Sequence, residues 1–164
     1  RGNRKSKLFN EKEDYKVYLR IIRNSKNRFN FQVYSYCLMS NHVHLQLQTE
    51  KIEIWKIMRR INLHYAKYFN NKYDLVGHVF QGRYKSSIIE NDYYQLVTSR
   101  YIHLNPLKAD LVDDPKKYYW SSYGYYLGIR GSDIVNESKI LSYFEGKIKG
   151  SGRKKYKRYV ESPI

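Results

Sequence analysis

The sequence predicts an α+β fold, in which helices cover one face of an antiparallel sheet. Apolar and polar side chains alternate loosely over residues 29–38 and strictly over residues 42–48, which is typical of two strands paired in a hairpin. Apolar residues recur at helical spacing over residues 51–69. Because strands and helices interleave without the regular rhythm of parallel β-α-β units, we expect an antiparallel sheet with one open face.

Helix signals lie on both sides of this hairpin. Asn10 can cap a first helix, with Glu13 as the reciprocal partner of a capping box, and that helix is expected to end near Asn24. Asn91 is the candidate cap of a later helix, which is expected to end just before Pro106 because the residue before a proline avoids the helical region. Shorter elements are expected as strands at residues 78–80 and 84–90 and as a helix at about residues 137–144.

Charge and aromatic content favour a nucleic-acid partner. The formal net charge is +16, from 31 Lys and Arg residues against 15 Asp and Glu residues. Such an excess attracts polyanions, because neutralising phosphates releases counterions. The 19 tyrosines suit single-stranded nucleic acid, whose exposed bases stack on aromatic rings, although some of these tyrosines must belong to the core.

Cysteine content and hydropathy exclude other classes of protein. Cys37 is the single cysteine, so an internal disulfide and a thiolate metal cluster are excluded and a reducing compartment is indicated. No apolar run approaches the ~20 residues needed to span a bilayer. We therefore expect a cytoplasmic protein without a membrane partner. Its main domain is expected over residues 1–145, followed by a basic tail or terminal helix over residues 146–164.

The strand predicted over residues 42–48 carries two histidines separated by one apolar residue. Because successive side chains on a strand point to opposite faces, both histidines lie on one face and the apolar residues lie on the other. Two imidazoles placed in this way can hold one metal ion or one phosphate, whereas a bare His-x-His motif also occurs on ordinary half-buried strands. The histidine face consists of His42, His44, Gln46 and Gln48, and the apolar face consists of Val43, Leu45 and Leu47.

The helix expected after Asn91 carries a second candidate pair. Tyr101 and Asn105 lie four residues apart and therefore on one helix face, whereas His103 points elsewhere. Two structural alternatives remain open at this point. Tyr101 could pack in the core, and Asn105 could serve only as a helix C-cap.

Four motifs occur along the chain in a characteristic order. They are Asn41-His42-Val43-His44-Leu45, Gly77-His78-Val79-Phe80-Gln81-Gly82-Arg83-Tyr84-Lys85, Tyr101-Ile102-His103-Leu104-Asn105-Pro106-Leu107-Lys108-Ala109 and Trp120-Ser121-Ser122-Tyr123. In these motifs and their order the sequence resembles the HUH single-tyrosine transposases, specifically the branch of REP-associated tyrosine transposases. The resemblance covers nearly the whole chain, from residue 1 to the region of residue 123.

The resemblance implies a ferredoxin-like fold with the histidines on a central strand, and it implies a chemistry. His42 and His44 would bind a divalent metal, and Asn105 takes the place where related insertion-sequence enzymes carry a glutamine as third ligand. Tyr101 would attack a phosphodiester of single-stranded DNA, leaving a 5′-phosphotyrosine and a free 3′-OH. A tyrosine with its pKa near about 10 is a weak nucleophile at neutral pH, so metal assistance is reasonable. Mg²⁺ or Mn²⁺ is expected because the substrate is a phosphate.

The partner implied by the resemblance is single-stranded or hairpin DNA, in the bacterial cytoplasm and associated with the nucleoid. The stretch 147–158 holds seven Lys and Arg residues and no acid, so it is either a disordered basic tail or a DNA contact. The protein could act as a monomer, as expected for the REP-associated branch, or as a homodimer. The side chains expected to contact DNA are Arg83, Tyr84, Lys85, Lys108, Arg153, Lys154 and Lys155.

The sequence departs from the family pattern at three points. Relatives usually carry a β-strand before the Arg1-Gly2-Asn3 segment, so that strand is missing or lies outside this sequence. Ser40 stands where a proline is common, with little effect expected. Gln46 shares the histidine face where an apolar residue is commoner, and it is either a fourth ligand or a side chain that supports the ligands.

Three functions are therefore compared. The first is a metal-dependent transposase-type enzyme that nicks and rejoins single-stranded DNA, which the presence of His42, His44 and Tyr101 favours. The second is a domesticated relative that binds hairpin DNA without cutting it. The third is an RNA-binding module with an open sheet, which the lack of an RNP-type aromatic signature disfavours.

Overall fold

The computed structural model describes residues 1–146 and 151–162, and it confirms the α+β class. Within these residues, β1 and β2 pair as an antiparallel two-stranded sheet against which helices pack. None of the described helices combines the length and the hydropathy that a bilayer-spanning segment needs. The elements in chain order are α1 (Lys12–Phe29), β1 (Gln32–Met39), β2 (His42–Gln48), α2 (Ile54–Tyr73), α3 (Asp92–Lys108), α4 (Tyr123–Tyr126), α5 (Ser138–Ser142) and α6 (Gly152–Glu161), with 3₁₀ turns at Asn3–Lys5 and Pro115–Lys117.

The first of two compact units comprises residues Arg1–Gln32, Leu38–Val43 and Gln48–Ser87. Helices α1 and α2 pack against each other in this unit, because each presents an apolar stripe at helical spacing. The apolar residues that they bury are Val17, Tyr18 and Ile22 on α1 and Ile57, Ile61, Tyr65 and Phe69 on α2.

The ends of α1 differ from the prediction. The helix is capped by Glu11, whose capping-box partner is Asp14, so the predicted pair of Asn10 and Glu13 is wrong by one residue. It then continues to Phe29 and ends at Asn30, which adopts the left-handed conformation with φ 48° that is common after a helix C-terminus. The predicted end near Asn24 is wrong because Ser25 is buried within the continuing helix, which tertiary packing stabilises.

Asp14 explains why the cap falls where it does. Its carboxylate is fully buried and accepts hydrogen bonds from the Lys72 Nζ at 2.7 Å, the Tyr68 hydroxyl at 2.8 Å and the Tyr73 hydroxyl at 2.7 Å. Burial by itself would raise the pKa of this carboxyl, but the hydrogen bonds, led by that from Lys72, lower it to about 2. Asp14 therefore fastens the start of α1 to the end of α2.

The segment between α2 and α3 contains less strand than predicted. Within residues 78–80 the pairing is a single antiparallel bridge between Gly2 and Phe80, supported by the Asn3 N–H donating to the Val79 carbonyl at 2.9 Å. Residues 84–90 form no strand, and that prediction is wrong. Most of their side chains are exposed, with Ile88 at 90%, and no described strand pairs with this backbone. Alternation of apolar and polar residues is therefore not enough to form a strand without a neighbour to pair with.

The second unit comprises residues 33–37, residues 44–47 and the described residues from 88 onward. Its strand β1 makes a parallel bridge from Val33 to Val135 and an antiparallel bridge from Cys37 to Ser121. Helix α6 packs on α3, α4 and α5. The apolar core of this unit is rich in tyrosine and includes Val33, Tyr36, Ile102, Leu104, Tyr123, Tyr126, Ile134, Val135, Ile140, Tyr156 and Val160.

Helix α3 begins as predicted and ends later than predicted. The Asn91 side chain accepts a hydrogen bond from the Tyr94 N–H at 3.0 Å, which confirms the cap. The helix continues through Pro106 to Lys108. A proline in the last turn removes one intrahelical hydrogen bond, and the turn is closed by the Ala109 N–H donating to the Asn105 carbonyl at 3.0 Å.

Candidate active site

His42, the first residue of β2, lies in the first unit and is half-buried. Its Nδ1 lies 2.7 Å from the Asn41 Oδ1. The amide nitrogen of Asn41 donates to the Lys5 carbonyl at 3.4 Å, so the amide oxygen faces the imidazole and His42 Nδ1 carries the proton. Burial, together with the nearby Arg1 charge, lowers the pKa of His42. The ring is therefore neutral at neutral pH, with its lone pair on Nε2, as a metal ligand must be.

His44 and Tyr101 meet in the second unit. Strand β2 carries His44 two residues after His42 and on the same strand face. The His44 and Tyr101 ring centroids lie 5.6 Å apart at an interplanar angle of 89°, and the Lys108 Nζ lies 5.4 Å from the Tyr101 ring centroid. Because 47% of Tyr101 is exposed, the core-packing alternative does not describe this residue.

Asn105 lies one helical turn after Tyr101, within α3. Its Nδ2 donates to the Tyr101 carbonyl at 2.8 Å, and the helix continues beyond it to Lys108, so it is not a C-cap. Among the described residues, nothing donates to the Asn105 Oδ1. That oxygen is available as a ligand atom.

The Gln46 side chain links two elements of the second unit by hydrogen bonds. The side chain is 2% exposed; its Oε1 accepts from the Ser35 hydroxyl at 2.7 Å and its Nε2 donates to the Gln95 carbonyl at 3.1 Å. Ser35 lies on β1 and Gln95 lies on α3, so this one amide joins the hairpin to the helix that carries Tyr101. Both the oxygen and the nitrogen of the amide are engaged in these hydrogen bonds. Gln46 therefore fits the role of a side chain that supports the ligands better than that of a fourth ligand.

A buried hydrogen-bond chain crosses the opposite side of α3. The Tyr156 hydroxyl lies 2.6 Å from the Ser99 Oγ and 2.7 Å from the His103 Nδ1, and the His103 Nε2 lies 2.7 Å from the Ser122 Oγ. The Ser122 Oγ also accepts from the Tyr36 N–H at 2.9 Å and donates to the Tyr36 carbonyl at 3.2 Å. Burial lowers the pKa of His103 to about 3, so the imidazole is neutral.

Because His103 is neutral, one of its ring nitrogens donates and the other accepts, which fixes the direction of each hydrogen bond in this chain. The hydroxyl of Ser122 is committed to a carbonyl, so His103 Nε2 donates to Ser122 and His103 Nδ1 accepts from Tyr156. Tyr156 in turn accepts from Ser99, and each polar atom is satisfied. Sequence reasoning missed this role of His103, whose partners lie 19 and 53 residues away.

Helix α6 is therefore anchored, and the disordered-tail alternative is wrong for Gly152–Glu161. Tyr156 and Val160 are buried, and the Arg100 guanidinium donates to the Ser162 carbonyl at 2.5 Å. The part of the predicted basic tail at residues 147–150 and 163–164 lies outside the described residues.

The side chains predicted to contact DNA differ in their surroundings. Arg153 is occupied within the second unit, because its guanidinium donates to the Tyr125 carbonyl and lies 3.1 Å from the Glu137 carboxylate. Tyr84 is half-buried. The others are exposed; they are Arg83, Lys85, Lys108, Lys154 and Lys155.

The side chains present define which donor atoms a metal site in this chain could use. Among the described residues, no group of three or more His, Cys, Asp or Glu side chains could hold a metal ion. A site built on the histidine strand would therefore draw on imidazole nitrogens and an amide oxygen. Imidazole nitrogen and amide oxygen do not select sharply among divalent metals.

Comparison with known families gives the class of the protein. The model of one family, described as Transposase IS200 like, matches residues 1–105, which is well over half of the chain, and no curated protein and no solved structure matches it. A transposase acts on DNA. The chain belongs to the IS200-like transposase family, and the match includes both histidines, Tyr101 and Asn105.

Proposed function

We propose that this chain nicks and rejoins single-stranded hairpin DNA through a covalent 5′-phosphotyrosine at Tyr101, with a divalent metal. The observation that carries the proposal is the exposed Tyr101 beside His44, at 5.6 Å between ring centroids. Asn105 stands one helical turn further on the same helix. The family match supports transposase chemistry on DNA in general. The excess of 31 basic over 15 acidic residues supports a polyanionic substrate.

In this mechanism α3 orients the nucleophile. The Tyr101 Oη attacks the phosphorus of a DNA phosphodiester and loses its proton to solvent, the P–O3′ bond breaks, and the departing 3′ oxygen takes up a proton. The 5′ phosphate is then bound to tyrosine. Rejoining is the reverse attack by a 3′-OH, which restores the tyrosine hydroxyl and needs no nucleotide cofactor. The position of Tyr101 on a helix fastened by Gln46 and His103 limits the orientations that attack must search.

His42, His44 and Asn105 are the residues that would hold the metal, Mg²⁺ or Mn²⁺. They fit the role because His42 is held in the tautomer that a ligand needs and the Asn105 amide nitrogen is turned to its own helix. When bound, a divalent ion polarises the phosphoryl oxygen and orients the attack.

The finer assignment is to the REP-associated branch, with hairpin DNA as the partner in the bacterial cytoplasm. It is supported by the order of the four sequence motifs, which extend past the family match to Trp120-Ser121-Ser122-Tyr123. A REP-associated enzyme is expected to act as a monomer.

The test is the formation of a covalent adduct. The full chain is incubated with labelled single-stranded DNA hairpins and Mn²⁺, and protein–DNA species that survive denaturant are measured. The wild type should form an adduct, Tyr101→Phe should bind DNA without forming one, and Tyr119→Phe should behave as the wild type. Tyr119 is a suitable control because it is a similarly exposed tyrosine, at 61%, without a histidine beside it.

Two results would contradict the proposal. Mass spectrometry of the adduct peptide could identify DNA on a tyrosine other than Tyr101. Hairpin binding without any adduct, across Mg²⁺ and Mn²⁺, would favour the domesticated binding protein instead.

A further inference from the structure

One face of α3 is lined with exposed, mainly apolar side chains, and the nucleophile is one of them. Tyr94 is 53% exposed, Val97 36% and Tyr101 47%. These positions, together with Asn105 and Lys108, recur at intervals of three and four residues and so form one line along the helix. We call this line the α3 stripe. The other side of the helix carries buried residues, namely Ser99, Ile102, His103 and Leu104.

The N-terminal end of the stripe is aromatic. Tyr93, which is 69% exposed, packs edge-on against Tyr94 with ring centroids 5.5 Å apart at 69°. The Tyr94 backbone is fixed by the Asn91 cap. Two rings held at a capped helix start therefore present a large apolar surface to solvent, and such surfaces mark binding sites more often than ordinary protein surface.

The position of Tyr101 restricts what can cover the stripe. Tyr94 precedes Tyr101 by seven residues, or about 10 Å along the helix axis. Any substrate whose phosphorus reaches the Tyr101 hydroxyl therefore extends over neighbouring side chains of the stripe. At the other end, Lys108 supplies a cation, with its Nζ 5.4 Å from the Tyr101 ring centroid.

We propose that Tyr94, supported edge-on by Tyr93, is a stacking platform for an unpaired nucleobase next to the scissile phosphate. This proposal rests on the proposed function, since it takes single-stranded DNA as the substrate. Aromatic rings stack on every base and so bind single strands with little sequence preference. The chemistry of the stripe matches such a strand: rings for the bases at one end and a cation for phosphate at the other.

The same observations disfavour a second protein copy as the occupant. A partner helix seated on the stripe would cover Tyr101, whose exposure the reaction requires. With a net charge of +16, two copies would also repel each other.

The experiment measures DNA binding without chemistry. In a Tyr101→Phe background and without metal, the affinity of the full chain is measured for a labelled thymidine oligonucleotide and for an abasic oligonucleotide of equal length. Tyr94→Ala should weaken binding of the thymidine oligonucleotide by about 5- to 100-fold and leave the abasic affinity unchanged. Tyr94→Phe should retain binding, because the ring remains. Tyr119→Ala, at another exposed tyrosine, should change neither affinity.

Three results would overturn the platform. Equal losses on both oligonucleotides would indicate a phosphate or folding effect, and no loss on either would remove Tyr94 from the DNA site. If sedimentation shows that Tyr94→Ala converts a dimer to a monomer, the stripe is a self-association face. Failure of the proposed function is recognised separately, because the wild type would then form no Tyr101 adduct even if Tyr94 still distinguished thymidine from abasic DNA.

Discussion

Tyr156→Phe is the sharpest test of how α6 is held on α3. The substitution removes one oxygen, which accepts from Ser99 at 2.6 Å and donates to the His103 Nδ1 at 2.7 Å. The ring and its packing remain, so the change isolates the hydrogen-bond chain. Tyr159→Phe is the matched control, since Tyr159 lies on the same helix and its hydroxyl makes no hydrogen bond to a described residue.

The expected cost follows from what removal of the hydroxyl leaves behind. The Ser99 hydroxyl can turn to a carbonyl of the preceding helical turn, so it loses little. The His103 Nδ1 has no such alternative, because the ring is fully buried and its Nε2 is committed to Ser122. A buried polar atom left unsatisfied costs about 1–3 kcal/mol, so Tyr156→Phe should lower the free energy of unfolding by about 2–3 kcal/mol.

The assay is urea unfolding of the wild type and both variants at neutral pH. Tyr159→Phe should stay within about 0.5 kcal/mol of the wild type, as is usual for a surface change. In a double-mutant cycle, Tyr156→Phe should cost about 1–2 kcal/mol less free energy of unfolding in a His103→Leu background, because the unsatisfied imidazole nitrogen is then absent. Two results would refute the assigned hydrogen-bond chain through Tyr156 and His103. One is a destabilisation below about 0.5 kcal/mol for Tyr156→Phe, which is the range of ordinary surface changes. The other is the absence of coupling with His103.

Three further predictions concern the acid range, the metal and the charge. The pKa of Asp14 is lowered from 3.8 to about 2, so its stabilisation is complete above pH 3.8 and is lost as pH falls toward 2. This is worth about 2 kcal/mol, and Asp14→Asn should remove it, which urea titrations at pH 5 and pH 2.5 would detect as a flatter pH dependence. His42→Ala and His44→Ala should each abolish the covalent adduct while hairpin binding in gel-shift assays largely persists, since binding depends mainly on phosphate contacts; cleavage by the double variant would exclude the histidines as ligands. Replacing Lys154 and Lys155 by Gln should lower the slope of log affinity against log salt by about 0.7 for each DNA phosphate that the variant no longer neutralises, and an unchanged slope would mean that α6 does not touch DNA.

The sequence was most informative where periodicity and capping act locally. The hairpin, the long apolar stripe of α2 and the cap at Asn91 all depend on near neighbours, and all were predictable. The four ordered motifs identified the transposase family, which the family match confirms. The pairing of His44 with Tyr101 followed from that resemblance rather than from spacing, because the two residues are far apart along the chain.

Features that depend on distant partners were predicted poorly. The cap of α1 falls at Glu11 because buried Asp14 also binds residues of α2. The alternation over residues 84–90 lacks a strand to pair with among the described residues. The roles of Gln46 and His103 could not be predicted from the sequence, because their hydrogen-bond partners are distant along the chain. These partners are Gln95 for Gln46, and Ser122 and Tyr156 for His103.

The distance between His103 and Tyr156 along the chain has a consequence for synthesis. Fifty-three residues separate them, so at about 5–20 residues per second a ribosome needs roughly 3–10 s to add Tyr156 after His103. During that interval the nascent α3 already carries Tyr101, but the His103 imidazole on the other side of the helix lacks its proton donor. A chain released early, before Tyr156, would keep that defect, and cellular proteases act on poorly held helices. The buried hydrogen-bond chain beneath α3 is therefore completed only in molecules translated through α6.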